Sequence, residues 1–169
     1  MAVIVVSDTS PLSGLAITGH LVLLQQIYGQ VVIPSAVADE LRRGGQDDPR
    51  IQQALAPDWV EVRQAGNHQL VAALQADHNL DQGEAEAIAL ALELKADELL
   101  IDERLGRREA SRLGLSITGL LGILLVAKRR ALIPAIRPIV DDLINEAGFR
   151  VSNQLYAEVL AAAGENKHE

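Results

Sequence analysis

Five short aliphatic runs separated by helical segments constrain this chain more than any other feature. "AVIVVS" (2–7), "QVVIP" (30–34), "WVEVR" (59–63), "ELLI" (98–101) and "LSIT" (115–118) read as strands. Helical patterns fill the intervals at 11–19, 20–29, 35–45, 50–56, 69–76, 80–97 and 102–114, and further helices follow near 119–130, 134–147 and 152–163. Strands joined through helices run parallel, and a parallel sheet must be covered on both faces. The expected architecture is therefore α/β, in three α/β/α layers with a central parallel sheet flanked by helices. No repeat, low-complexity tract or linker interrupts residues 1–169, which read as a single domain. The helices from 134 to 163 are expected to pack on that domain or on a dimer partner.

A hydrophobic fraction of 49% with only 2% aromatic residues implies a core built from Leu, Ile, Val and Ala. The absence of cysteine excludes disulfides, thiolate metal sites and a cysteine nucleophile. "MAVIVVSD" lacks the basic and long apolar segments of a secretory signal. The longest apolar run, "GLLGILLVA" at 119–127, falls well short of the roughly 20 residues that span a membrane. A soluble cytoplasmic protein with no membrane contact is expected. The net charge of −8, from 15 Lys+Arg against 23 Asp+Glu, argues against a simple nucleic-acid coat. It leaves a nuclease open, because carboxylates that collect divalent cations regain a local attraction for phosphate.

In an open parallel sheet the carboxyl ends of the strands and the N-termini of the crossover helices share one edge. The first strand runs into Asp8, then Thr9, Ser10 and Pro11. Ser10 before Pro11 is already a sufficient helix start, so Asp8 is either a turn residue facing water or a group in the ligand crevice. Asp102 ends "ELLI", Glu84 lies in the first turn of the helix leading to that strand, and Glu40 lies in the helix after "QVVI".

Helical phase turns one acid of each pair inward. Glu84 shares a stripe with Ile88 and Ala91, while Glu86 and Glu93 lie on the opposite, solvated side. Glu40 lies beside Val37 and Leu41, while Asp39 faces away; Ser35 and Gly44 are expected to open and close this helix. Each inward acid also has a local explanation. Asp81 and Glu84 have capping-box spacing, Asp102 could cap the next helix, and Glu40 could pair with Arg42, Arg43 or another arginine.

Carboxylates pressed into one crevice repel, so they must raise their pKa values, recruit Arg or Lys, or bind cations. Oxygen donors without Cys and with few His suit Mg²⁺ or Mn²⁺ rather than zinc. Two such ions about 4 Å apart activate water and stabilise the leaving oxygen of a phosphodiester.

"SDTSPL", "PSAVADEL", "LDQGEAEAIALA", "LIDERLGRREA" and "LSITGLLGILLVAK", in that order, resemble the PIN-domain ribonucleases, and most closely a VapC-like branch. The resemblance extends to about residue 160. It implies a single-strand ribonuclease fold with an acidic metal site. Carried onto this chain, the family's acids fall on Asp8, Glu40, Glu84 and Asp102, with Asp8, Glu84 and Asp102 as the metal ligands and Mg²⁺ or Mn²⁺ as cofactor. It also implies an RNA substrate, a small antitoxin partner, a toxin role and a homodimer. The chain departs from many such toxins in carrying Glu84 where they have Asp, with Asp81 and Glu103 as nearby substitutes.

Thr9 and Thr118 place hydroxyls at the same edge, suited to orienting water or phosphate, although Thr118 could instead cap the next helix. Arg104, Arg108 and Arg112 follow i, i+4 spacing with Arg107 beside them, so these like charges should meet acids or, at Arg104, Arg107 and Arg108, RNA phosphate. The histidines at 20, 68, 78 and 168 show no metal-ligand spacing and read as surface residues. A haloacid-dehalogenase-like phosphatase would need an Asp where Ser10 stands, and a receiver domain a lysine at the end of "LSIT". The serious rival is a fold retained for protein or RNA binding with a degenerate metal site.

Overall fold

Period-two alternation in three aliphatic runs places successive side chains on opposite faces of one sheet. In the computed structural model, which describes residues 3–165, the elements follow the expected order. The first part of the chain runs β1 (Val5–Ser7), α1 (Thr9–Ile17), α2 (Val22–Tyr28), β2 (Val31–Pro34), α3 (Ser35–Asp47) and α4 (Pro49–Gln52), followed by a 3-10 turn at Gln53–Leu55. The middle runs β3 (Val60–Arg63), α5 (His68–His78), α6 (Gln82–Leu94), β4 (Glu98–Leu100), α7 (Arg104–Arg112) and β5 (Ile117–Thr118). Three helices complete it: α8 (Leu120–Arg129), α9 (Arg137–Glu146) and α10 (Asn153–Ala162).

The five strands are all parallel, in the order β3-β2-β1-β4-β5. Val5, Ile33 and Leu100 enter one apolar layer, packed beneath residues of α1, α2, α3 and α8. Their neighbours Val6, Val32 and Leu99 enter the other, beneath α5, α6 and α7. Val140 and Leu143 of α9 and Leu160 of α10 belong to the first layer, so the C-terminal helices pack on this chain's own core. Among the described residues no helix is long and apolar enough to cross a membrane.

Several local expectations are corrected by tertiary contacts. α1 begins at Thr9 with Asp8 in the N-cap position, so Ser10 is not the cap and Pro11 is the third helical residue. Ser35 makes no capping bond; the Ala36 N–H is instead satisfied by Glu86 Oε1 at 3.0 Å. Glu86 is thus half-buried rather than solvated, and Glu93, although exposed, accepts the Gly66 N–H at 2.9 Å. Gly44 does not end α3, which continues to Asp47. The adjacent Gly45 is a packing residue: a Cβ there would lie 2.3 Å from Gln52 Cγ. The first strand is also shorter than expected, with Val3 and Ile4 outside it and exposed.

Candidate active site

β1 and β4 are neighbours where the crossovers change direction, with β2 and β3 on one side of β1 and β4 and β5 on the other. Open α/β sheets form their ligand crevice at this switch point, outside the carboxyl ends of the strands. Asp8 follows β1 directly, and its N–H donates to the Leu100 carbonyl at 2.8 Å. Asp102 stands just beyond β4, where the Ile101 N–H donates to the Thr118 carbonyl at 3.0 Å. Backbone hydrogen bonds therefore hold both aspartates at the rim of the crevice.

The Asp8 side chain makes no N-cap bond although the residue occupies that position, and it is only 4% exposed. Burial, and then the charges of Glu84, Asp81 and Glu40, push its carboxyl well above the usual range, against the lowering effect of the Thr9 N–H. Glu40 comes from α3, and its Oε1 accepts the Thr9 hydroxyl at 2.5 Å. Its pKa is raised by burial, with Thr9 and Arg43 opposing. Arg42 pairs with Asp39 instead, which removes one of the partners expected for Glu40.

Glu84 is buried in the first turn of α6, and the capping box with Asp81 is present: the Glu84 N–H donates to Asp81 Oδ1 at 2.8 Å, and Glu84 Oε1 accepts the Asp81 N–H at 3.1 Å. The cap does not discharge the electrostatic problem. Burial, followed by the charges of Asp81, Glu103 and Glu40, pushes the Glu84 carboxyl up to about 7. Gly83 permits the approach of α6: a Cβ there would sit 2.3 Å from Glu40 Oε1 and 3.6 Å from Asp8 Oδ1. The sequence signal for this position was weak, being only a poor helix former in a first helical turn.

Asp102 does not cap α7, whose N-cap is Glu103. Its Oδ1 accepts the Leu120 N–H at 2.9 Å, tying β4 to the start of α8, while its buried Oδ2 has no hydrogen-bond partner. Burial pushes this carboxyl up to about 6 despite the Leu120 N–H and the Arg107 guanidinium, which lower it. Arg107 is anchored by donation from Nη1 to the Ile101 carbonyl at 2.9 Å. Gly119 is again required by space, since a Cβ would fall 2.7 Å from Asp102 Oδ1 and 2.8 Å from Arg107 Nη1.

The structure thus groups Asp8, Glu40, Glu84 and Asp81, with Glu103 acting electrostatically on both Glu84 and Asp102. As the side chains stand, no three acids among the described residues converge to grip one ion. The donor set nevertheless fits a hard divalent cation: every donor is an oxygen, the carboxyls resist ionisation without a counter-charge, and Asp102 Oδ2 is buried without a partner. Thr118 is not the cap of α8, whose N-cap is Gly119; its hydroxyl donates to Glu98 Oε2 and so is taken up by a carboxylate other than Asp8, Glu40, Glu84 and Asp102. Arg104 and Arg107 line cavities beside Asp102, whereas Arg108 lines a separate one with His78, Glu109 and Arg112. His78 pairs with the buried Glu109 at 3.2 Å, and Glu109 also accepts from Arg112 Nε at 2.8 Å. His168 lies outside the described residues. Phe149, Arg150 and Arg129 also line the cavities beside Asp102; nothing in their local sequence marks them.

Residues 4–165 match a family model, DUF3368, described as a PIN domain. No curated protein matches the chain. The crystal structure of PAE2754 from Pyrobaculum aerophilum is similar with a TM-score of 0.53 at 14% identity, over 71% of this chain and 92% of that chain. At that identity the likeness bears on the fold alone. PIN domains are usually nucleases and generally use divalent metals. With the family match spanning nearly all of the described residues and an independent likeness in fold, the chain belongs to the PIN-domain family.

Proposed function

We propose that this protein is a Mg²⁺- or Mn²⁺-dependent endoribonuclease that cleaves single-stranded or structured RNA by direct attack of water on the phosphodiester. The observation that carries this reading is the buried, partnerless Asp102 Oδ2 at the switch point, on the same sheet edge as Asp8 and Glu84, whose carboxyl pKa values are raised. Asp8, Glu84 and Asp102 would hold the cation, which when bound supplies Lewis-acid activation of water and neutralises phosphate charge.

The chain's own groups do the rest. Glu40 is held through Oε1 by Thr9, which leaves Oε2 to take the proton of the attacking water. Burial raises its pKa towards the range useful to a general base. Arg107, fixed against the Ile101 carbonyl, offers a positive charge to the phosphate. Asp81 fixes the first turn of α6 and so the position of Glu84.

The test is cleavage of a structured RNA by wild type, Glu84→Gln and Asp102→Asn with added Mn²⁺. Loss of cleavage in both variants with an unchanged circular-dichroism spectrum is expected; wild-type rates in both would sink the reading. A toxin role, an inhibitory small protein partner and a homodimer belong to the same proposal and rest on the resemblance of the motifs, whereas a single functional domain rests on the uninterrupted α/β pattern and a cytoplasmic location on the shortness of every apolar run. The second reading, a non-catalytic RNA- or protein-binding module, is favoured by the failure of three acids to converge as they stand. Calorimetric titration of Mn²⁺ into wild type and Asp8→Asn separates the two: binding lost in the variant supports the nuclease, and two flat titrations support the module.

A further inference from the structure

Five arginines of this acidic chain make no salt bridge or hydrogen bond among the described residues; Arg43 and Arg108 line separate cavities, and the other three gather in one region. Arg42, Arg50, Arg63 and Arg112 are held in salt bridges with neighbouring acids. Arg104, Arg129 and Arg150 make no salt bridge or hydrogen bond among the described residues, and all three line the two cavities that meet at Asp102. The larger cavity, of about 540 Å³, runs from Thr118 along α8 to Arg129; the smaller, of about 320 Å³, lies towards α1. Phe149 and Arg150, in the loop between α9 and α10, border both.

The walls of the larger cavity are of two kinds. Phe149, the only phenylalanine of the chain, joins Leu121, Val126 and Leu155 in an apolar surface, and Leu155 is 43% exposed. Arg107, Arg129 and Arg150 supply positive charge around it. Its volume is within the range of about 300–1,000 Å³ typical of sites for small organic ligands. Nine helical steps of α8 lead from Leu120 to Arg129, or roughly 14 Å of helix, enough to reach a phosphate other than the one at the acids.

We infer that this cleft holds an unstacked nucleotide of the single-stranded RNA flanking the cleavage point, with its base against Phe149 and neighbouring phosphates on Arg129 and Arg150. An aromatic ring beside unpaired arginines suits an exposed base and its backbone, whereas a duplex keeps its bases stacked and out of reach. The inference rests on the proposed RNA-cleaving function but assigns the substrate's grip to the α9–α10 loop and α8, in a cleft that reaches the acids only at Asp102.

The test is fluorescence anisotropy of a short labelled single-stranded oligoribonucleotide with the full chain in EDTA, so that binding is read without cleavage. Phe149→Leu should keep the apolar packing but weaken binding at least about fivefold. Arg150→Gln and Arg129→Gln should each lower the salt dependence of log Kd by about 0.7. Arg63→Gln, on the far edge strand, is the control and should bind as wild type. A blunt duplex of the same sequence should bind more weakly and be insensitive to Phe149→Leu. Wild-type affinity and salt slope in all three cleft variants would overturn the inference, and retained Mn²⁺-dependent cleavage in that case would leave the nuclease reading standing. Conversely, absence of cleavage in wild type with the expected binding losses would remove the nuclease reading and keep the cleft.

Discussion

Metal-free protein should become more stable as the pH falls from about 8 to about 5, the reverse of ordinary acid destabilisation. Glu84 and Asp102 have carboxyls pushed up to about 7 and about 6, against ordinary values of 4.5 and 3.8. The folded protein therefore holds these protons more tightly than the unfolded chain. Their contribution is fully present below the unfolded values, near 4, and is lost as the pH rises through 6 and 7. Over the stated window the two shifts correspond to at most about 4 kcal/mol, and to about 2 kcal/mol if water screens half of the effect. For a chain of this size that is roughly 5 to 10 °C in Tm. Asp8 is shifted in the same direction and adds to the trend. Thermal denaturation in EDTA across the window measures it, with the Glu84→Gln/Asp102→Asn double variant as the comparison. The variant should melt above wild type at the alkaline end, and its slope should be flatter. Saturating Mn²⁺ should restore wild-type stability there. A flat profile in the metal-free wild type, or an identical slope in the double variant, would refute the reasoning that burial and mutual repulsion strain these carboxyls.

Gly83→Ala should fold, because alanine favours the α6 helix, but its Cβ would displace Glu40; RNA-cleavage assays should show the rate reduced at least about tenfold with Mn²⁺ affinity by calorimetry changed less. Gly119→Ala intrudes on Asp102 and Arg107 together and should lower the rate of RNA cleavage more than it lowers Tm, as paired rate and melting measurements will show. Thr9→Val removes the hydroxyl that holds Glu40 and lowers its pKa, so the acid limb of the cleavage pH profile should move to higher pH; an unmoved limb would exclude Glu40 as the proton acceptor.

Where a property depends on residues close in sequence, it was legible in sequence. Alternation of aliphatic runs and helices specified a parallel three-layer α/β fold, because strand and helix periods are local. The phase of α6 turned Glu84 inward, and the spacing of Asp81 and Glu84 announced a capping box that the structure contains. Where a property depends on groups far apart in the chain, only the tertiary structure decided it. Ser10 was a sound local cap, yet α1 starts at Thr9, with the Asp8 N–H bound to the Leu100 carbonyl across the sheet. Glu86 looked solvated until α3 brought the Ala36 N–H to it. Asp102 looked like the cap of its own helix but bonds to the start of α8 and leaves one oxygen buried without a partner. The cleft at Phe149 and Arg150 had no local signature at all, because its charge and its apolar surface come from β5, α7, α8, the α9–α10 loop and α10. Periodicity orients a side chain relative to its own element; what that side chain meets is set by packing among elements, whose hydrogen bonds and repulsions exist only after the chain has closed on itself.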